Sequence, residues 1–183
     1  PWLGEIPKHW EVVRLGRLAR LQGGYAFDPK DFADEGVPVV RMNNLKRGEL
    51  DLSAPAKISP TQTVARFALC EGDILFGMSG SVGETGSLGN FAFVTAKSLP
   101  LQLNQRVGRF VIHNNKLSPD FLRLVVQSKL LAEQILLLVT GSAQFNISSA
   151  QAESITIAIP PIEEQAEIFC TYQKKSTKLD ELH

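Results

Sequence analysis

The Pro160-Pro161 pair constrains the fold of this chain more than any other feature of its sequence. The pair ends an extended apolar run, Ile155–Ile159, and precedes a segment whose spacing of apolar residues predicts a long helix. Proline suits the first turn of a helix because its missing N–H needs no partner there, and Glu163 stands where the helix dipole favours negative charge. The junction therefore predicts a globular domain at 1–160 and a helical segment at 161–183.

The predicted C-terminal helix carries a sparse seven-residue repeat. We expect its coiled-coil seam to consist of Ile162, Gln165, Phe169, Tyr172 and Leu179. At the usual helical rise, residues 162–183 would extend over about 33 Å. A helix with so weak an apolar stripe buries little surface against its own domain. It is therefore expected to project from the domain and to pair with another helix.

The composition is that of a globular protein, with 44% hydrophobic and 21% charged residues. No segment is long and apolar enough to span a bilayer, and no basic region precedes an apolar stretch as in a secretion signal. We therefore expect a cytoplasmic protein. Cys70 and Cys170 have no Cys or His at metal-ligand spacing, so two unrelated thiols and no metal site are expected.

Strand patterns precede helical patterns along the chain, which favours an α+β fold. Ser118 predicts the cap of a helix that continues to Thr140-Gly141, and Asn146–Ser148 predicts the start of a further short helix. We expect a β-rich domain with packed helices and a projecting C-terminal coiled-coil helix. Strands are predicted at 37–42, 74–76, 91–95, 105–112 and 155–159.

The segment Gly77–Gly89 is rich in glycine and has no hydrophobic period, which indicates a loop. A phosphate loop of a nucleotide-binding enzyme would continue with Lys, Ser or Thr, and a helix, whereas the next apolar segment here predicts a strand. The hydroxyls of Ser79 and Ser81, with nearby backbone N–H groups, would suit DNA phosphates. No nucleophile paired with a base is recognisable, so we predict a non-catalytic protein without a cofactor.

Polar side chains that can pair with base edges form three clusters on predicted loops. Arg and Lys match guanine in the major groove, and Asn and Gln match adenine. A single cluster of this kind is more often a solvated turn, but three on one β-rich scaffold favour DNA recognition. The formal net charge of zero argues against strongly electrostatic binding, yet it allows a basic face. The candidate DNA-binding residues are Arg41, Asn43, Asn44, Lys46 and Arg47, then Gln102, Asn104, Gln105 and Arg106, then Gln144 and Asn146, together with Ser79 and Ser81 of the glycine-rich loop.

Taken in order, these motifs make the chain similar to the specificity subunits of type I restriction–modification enzymes. Each motif is weak alone, but together they cover nearly the whole chain. The matching pieces are Gly4-Glu5-Ile6-Pro7-Lys8-His9-Trp10-Glu11, Val37-Pro38-Val39-Val40-Arg41-Met42-Asn43-Asn44 with Gly48, Glu71-Gly72-Asp73-Ile74-Leu75, Ser79-Gly80-Ser81-Val82-Gly83, Leu103-Asn104-Gln105, Gly141–Ser148, and Ile157–Pro161 with Glu164-Gln165 and Ile168.

The resemblance implies a subunit with two target-recognition domains, each of which recognises one half of a split site in double-stranded DNA. Long helices that pack as a coiled coil separate the two domains and dock the methyltransferase (modification) subunits, and through them the restriction and translocase subunit. The partners would supply S-adenosylmethionine, adenine methylation and ATP-driven cleavage. This chain matches one recognition domain and the start of one spacer helix, either as a fragment or as a half-length subunit that pairs with a second copy.

Three alternatives remain open from the sequence. The chain could be the recognition domain of a fused type II restriction–methyltransferase, which the sequence upstream of Pro1 would decide. It could be a small enzyme that binds a nucleotide or phosphosugar at Gly77–Gly89. A purely structural coiled-coil adaptor would dimerise through its helix and show no affinity for DNA.

Overall fold

The computed structural model describes residues 5–82, 86–139 and 145–180, with side chains described as far as residue 177. These residues form strands and helices in the proportions of an α+β protein, as the sequence predicted. The helices are α1 (Pro119–Gln127), α2 (Lys129–Leu138), α3 (Ser149–Ser154) and α4 (Ile162–Asp180). The strands are β1 (Glu11–Arg14), β2 (Ala19–Gly23), β3 (Phe32–Ala33), β4 (Val37–Val40), β5 (Leu45–Lys46), β6 (Glu49–Leu50), β7 (Ala56–Ile58), β8 (Ile74–Gly77), β9 (Ser79–Gly80), β10 (Phe91–Phe93), β11 (Gln102–Leu103), β12 (Val107–Ile112), β13 (Phe145–Asn146) and β14 (Thr156–Ile159).

Two four-stranded sheets form the β-rich part of the domain. The central sheet has the order β10-β8-β12-β2, in which every neighbouring pair is antiparallel. The second sheet has the order β11-β4-β7-β3, and β11 runs parallel to β4. Side chains of both sheets, including the fully buried Val40, Leu75 and Leu103, share one apolar cluster. The two sheets therefore form one packed body.

The helices cover the central sheet and enclose the main core. Phe76 of β8, Leu122 of α1 and Ile155 before β14 belong to this core, and each is almost completely excluded from solvent. Burying a side chain of this size contributes about 1.5–3 kcal/mol to folding. The helices thus owe their stability mainly to the apolar faces that they turn toward the sheet.

The helix predicted from Ser118 to residue 140 is in fact two helices. Ser118 caps α1 as predicted, accepting a hydrogen bond from the N–H of Phe121, but the chain becomes extended at Ser128. The Ser128 hydroxyl donates to the carbonyl oxygen of Val125 and accepts from the N–H of Leu131, so it ends α1 and starts α2. The predicted stop at Thr140-Gly141 lies outside the described residues.

The chain enters and leaves the domain on neighbouring strands. β1 pairs antiparallel with β14, which places Glu11 opposite Ile159. The short helix α3 precedes β14 and is capped by Ser148, in agreement with the predicted helix start. The first strand is therefore joined directly to the strand that leads into α4.

The start of α4 is fixed to the domain by Gln165, which is completely buried. Its Oε1 accepts a hydrogen bond of 2.9 Å from the N–H of Ser118. Its Nε2 donates to the carbonyl oxygens of Lys116 at 2.6 Å and of Pro160 at 3.0 Å. The assignment of Gln165 to a coiled-coil seam was therefore wrong, because its side chain joins α4 to the start of α1 and the end of β14.

The next turns of α4 lie along α1 rather than projecting freely. Ile168 packs against the main core, and the Tyr172 hydroxyl lies 3.4 Å from Oε1 of Gln127 at the end of α1. Phe169 is half-buried and Ile162 is exposed, while the side chain of Leu179 lies outside the described residues. The seven-residue repeat thus partly serves packing within the chain. The boundary between 1–160 and 161–183 as separate domains stays a prediction.

No helix within the described residues is both long enough and apolar enough to cross a membrane.

Replacing Gln165 with Ala should lower the free energy of unfolding by about 2–3 kcal/mol, because three backbone groups lose a buried partner. Chemical denaturation of the purified protein measures this loss. Gln173→Ala is the matched control, since Gln173 is exposed on the same helix and its loss should cost less than about 0.5 kcal/mol. Equal stability of the two variants would contradict the anchoring role of Gln165.

Candidate nucleic-acid interface

Backbone hydrogen bonds bring five distant segments of the chain together at one end of the two sheets. The N–H of Asn104 donates to the carbonyl oxygen of Val40 at 3.1 Å, and the N–H of Gln105 donates to that of Tyr25 at 2.9 Å. The N–H of Met78 donates to the carbonyl oxygen of Arg106 at 3.0 Å. The Met78 carbonyl in turn accepts from Ile147 at 2.9 Å, which joins β13 to the same end.

We call this end of the domain the polar edge. It combines the segment after β2, the residue after β4, the turn between β11 and β12, the start of the glycine-rich loop, and β13. Predicted DNA-binding residues from all three sequence clusters therefore contribute to one surface. Its members are Tyr25, Arg41, Ser81, Asn104, Gln105, Arg106 and Asn146.

Two glycines permit the close approach of these segments. A side chain at Gly24 would meet the carbonyl oxygens of Leu103 and Asn104, so only glycine lets the chain before Tyr25 lie against β11. Gly80 has a φ of 146°, and a Cβ there would meet the Ser87 hydroxyl. Gly80 thus allows β9 to pair with β13 while Ser87 and Leu88 lie close against it.

Most members of the polar edge are accessible to a ligand. Ser81, Gln105 and Arg106 are exposed, and Asn104 and Asn146 are half-buried. Together they offer hydroxyl, amide and guanidinium groups that can donate or accept hydrogen bonds at base edges or phosphates. Gln144, which was predicted to belong with Asn146, lies outside the described residues.

Asn44 does not belong to an accessible surface, and its assignment to DNA binding was wrong. Only 3% of the residue is exposed. Its Oδ1 accepts from the N–H of Arg41 at 2.9 Å, and its Nδ2 donates to the carbonyl oxygen of Asp51 at 2.9 Å. Asn44 therefore holds the turn that follows β4, whereas its neighbour Asn43 is exposed.

Gln102 and Ser79 are also corrected, because their side chains are buried. Gln102 is 3% exposed, and its Oε1 accepts from the N–H of Val64 at 3.0 Å. Ser79 is 4% exposed and lies in β9, opposite Asn146 of β13. Both residues support the loops around them instead of facing a ligand.

Lys46 and Arg47 lie on a different part of the surface. They belong to the hairpin of β5 and β6, which is bonded through Gly48 to Phe91 of β10. β10 and β2 are the two edges of the central sheet, about 14 Å apart at the usual strand spacing, so the hairpin and the strand that leads to Tyr25 lie at opposite edges. The first sequence cluster is therefore divided between two places.

The hairpin borders a cavity of about 440 Å³ that is also lined by Val82, Ser128 and Tyr172. Near it, hydrogen bonds from the side chain and the N–H of Ser53 lower the pKa of Asp51, and Lys46 adds a smaller electrostatic effect. Asp51 therefore stays an anion and offsets part of the positive charge of Lys46. Arg41 is separate from the hairpin, with its guanidinium 5.8 Å from the centre of the Phe32 ring.

Sequence reasoning missed Tyr25, which is 43% exposed at the polar edge. The available signal was its place directly after Gly23-Gly24 at the end of a strand, where an exposed aromatic residue is unusual. Sequence reasoning also missed two contacts of the Glu164 carboxylate, which lies 2.8 Å from Nε2 of His9 and accepts from Nε1 of Trp10 at 3.1 Å. These contacts join the segment before β1 to α4.

The glycine-rich loop does not have the geometry of a nucleotide-binding loop within its described residues. It leads from β9 into β10, so no helix N-terminus follows it. The described residues also contain no group of three or more His, Cys, Asp or Glu side chains that could hold a metal ion.

Comparison with known proteins gives a consistent result. Residues 7–181 match the sequence model of the family described as "Type I restriction modification DNA specificity domain". The chain is 27% identical over 166 residues to the type I restriction enzyme MjaVIII specificity subunit of Methanocaldococcus jannaschii, covering 89% of this chain and 38% of that protein. It is 29% identical over 185 residues to the EcoAI specificity subunit of Escherichia coli, covering 97% of this chain and 29% of that protein.

Solved structures show the same fold at lower sequence identity. The HsdS subunit from Thermoanaerobacter tengcongensis superposes with a TM-score of 0.69 at 16% identity, over 98% of this chain and 40% of that chain. The type I restriction–modification S subunit from M. genitalium gives a TM-score of 0.65 at 16% identity, over 100% of this chain and 43% of that chain. This chain thus spans less than half the length of these relatives.

Asn44→Ala should lower the free energy of unfolding by about 1–3 kcal/mol, because the N–H of Arg41 and the carbonyl of Asp51 lose a buried partner. The adjacent exposed residue provides the control, and Asn43→Ala should change stability by less than about 0.5 kcal/mol. Denaturant titrations of both variants compare the two losses. A smaller loss for Asn44→Ala than for Asn43→Ala would refute the structural role.

Proposed function

Because the chain belongs to the family of type I restriction–modification DNA specificity domains, we propose that its polar edge binds one half of a bipartite site in double-stranded DNA. The family assignment identifies a recognition domain of a non-catalytic specificity subunit, as the sequence predicted. The half-site and the arrangement of partners described below belong to this proposal.

The observation that carries the proposal is the convergence of three separate polar segments on one end of a rigid scaffold. The turn before β12 carries Asn104, Gln105 and Arg106. Ser81 and Asn146 lie on two other segments, which are joined by the pairing of β9 with β13. Amide and guanidinium groups form two-pronged hydrogen bonds with adenine and guanine in the major groove. Because the strands next to them are paired, these side chains have a fixed spacing when they contact bases.

Positive charge near the polar edge supports binding to phosphates without making the domain strongly basic. Arg41 and Arg106 lie at the edge itself, and Lys46 and Arg47 stand on the separate hairpin, which shares a cavity with Val82 of the glycine-rich loop. Phosphate contacts orient a protein on the duplex and add affinity that does not depend on sequence. With a formal net charge of zero, the domain would rely on its partner subunits for much of that affinity.

In this proposal α4 is the start of a spacer helix that links the domain to a second DNA-recognition domain. Gln165 and Ile168 hold its first turns against the domain, so the direction of the helix is fixed relative to the polar edge. Ile162 and Tyr172 remain 40% and 44% exposed and are available to a second helix. That second domain belongs either to the same subunit or to a second copy of this chain. Methyltransferase subunits dock along the paired helices.

The methylated sites in cells that carry the complete operon test the proposal. We expect a split sequence in which one half depends on this domain, so that Gln105→Ala with Arg106→Ala alters that half alone. The discrimination lost at a contacted base pair should be about 1–3 kcal/mol. Methylation of an unsplit site, or an unchanged half-site in the double variant, would contradict the role of the polar edge. Gln173→Ala on α4 is the control that should leave both halves unchanged.

Lys46→Ala with Arg47→Ala should weaken DNA binding to a similar extent for cognate and unrelated duplexes, because contacts with phosphates carry little sequence information. Titration of the complete enzyme complex with labelled duplex at several salt concentrations measures the effect. The dependence of log affinity on log salt should fall by about 0.9 for each phosphate contact that is lost. Unchanged affinity and salt dependence would remove the hairpin from the interface. Lys97→Ala, an exposed cation elsewhere, serves as the comparison.

A further inference from the structure

Tyr25 occupies a fixed position within the polar edge. Its N–H donates to the carbonyl oxygen of Leu103 at 2.9 Å, and its carbonyl oxygen accepts from Gln105 at 2.9 Å. The residue also bridges to Asn104 in the parallel sense. The backbone of Tyr25 is therefore held between the end of β11 and the turn that carries Gln105 and Arg106.

The ring of Tyr25 is supported from behind by two other aromatic rings. Phe27 meets it edge to face with the ring centres 5.0 Å apart, and the ring of Phe67 lies 5.7 Å away at a tilt. Aromatic pairs at these distances favour such angled arrangements. The side chain is thus ordered before any ligand binds.

Buried polar side chains hold the segment that carries Phe67. Nη1 of Arg109 donates to the carbonyl oxygen of Ala68 at 3.0 Å and to Oδ2 of Asp73 at 3.1 Å, and its Nη2 donates to the carbonyl oxygen of Arg66. Gln102 binds the N–H of Val64 at the other end of this segment. The support behind Tyr25 therefore reaches into the body of the domain, as a geometrically demanding contact requires.

Less than half of Tyr25 is exposed to solvent, and this restricts the ways in which its side chain can contact DNA. With 43% of the residue exposed, the ring cannot enter between base pairs without leaving Phe27 and Phe67. It can present to a groove only the part of the side chain that Phe27 and Phe67 leave uncovered. The hydroxyl of Tyr25 has no hydrogen bond to any residue in the described part of the chain, and a phenolic hydroxyl can both donate and accept.

We propose that the Tyr25 hydroxyl is a specificity-determining contact that hydrogen-bonds a base edge within the bound half-site. This inference rests on the proposed DNA-binding function of the polar edge and adds the residue and the chemical group to it. A phosphate contact by the same hydroxyl would add affinity without sequence preference, so the two possibilities differ in what they do to discrimination.

Tyr25→Phe tests the inference because it removes the hydroxyl and keeps the ring against Phe27 and Phe67. The complete enzyme complex binds labelled cognate duplex, and competitors in which each base pair of the half-site is replaced in turn measure the discrimination at every position. We expect the variant to lose roughly 3–10-fold in discrimination at one base pair, the effect of one hydrogen bond, and none at the others. Its thermal unfolding should match that of the wild type.

The chain provides a control in Gln173, which is exposed on α4 and whose substitution by Ala should leave every position unchanged. A uniform loss of affinity over all duplexes in Tyr25→Phe would assign the hydroxyl to a phosphate and overturn the inference. Unaltered discrimination at every base pair would overturn it as well. If the wild-type complex itself did not distinguish the duplexes, the proposed function would fail together with it.

Discussion

The buried amide of Gln165 is the contact on which the arrangement of the chain depends. It connects the start of α1, the end of β14 and the first turn of α4 through three hydrogen bonds to backbone groups. An amide placed in such a site is costly unless every group is paired, so the three segments can satisfy it only in one relative position. The contacts of Glu164 with His9 and Trp10 add the entrance of the chain to the same junction.

The polar edge depends on a different principle, in which backbone pairing sets the positions of side chains on loops. The turn that carries Asn104, Gln105 and Arg106 connects β11 to β12. β11 is paired with β4 in the second sheet and β12 is paired with β8 in the central sheet, so both sheets fix the position of the turn. Two residues that the sequence suggested as DNA contacts are instead buried and support the neighbouring loops. Gln102 and Asn44 each satisfy backbone groups of a neighbouring loop and leave the exposed positions to others.

Features set by local chemistry could be predicted from the sequence, whereas those set by distant contacts could not. The caps at Ser118 and Ser148 were predicted correctly because a hydroxyl before a helical pattern acts within one turn of the chain. The break at Ser128 was missed, since apolar spacing continues across it.

Some residues of the candidate site are exposed and others are buried, and the pattern of a single sequence does not show which are which. Asn43 and Asn44 are adjacent and chemically identical, yet one is exposed and the other is enclosed by the turn that it holds. Gln165 and Tyr172 share a seven-residue spacing, but the partner of that face is partly α1 of the same chain. The pairing of β1 with β14 has a further consequence, because it closes the segment between them into one unit whose two ends are adjacent. A segment with other loops could be inserted between the same two strands, and the helix beyond it would keep its direction only if the backbone groups that bind Gln165 were retained.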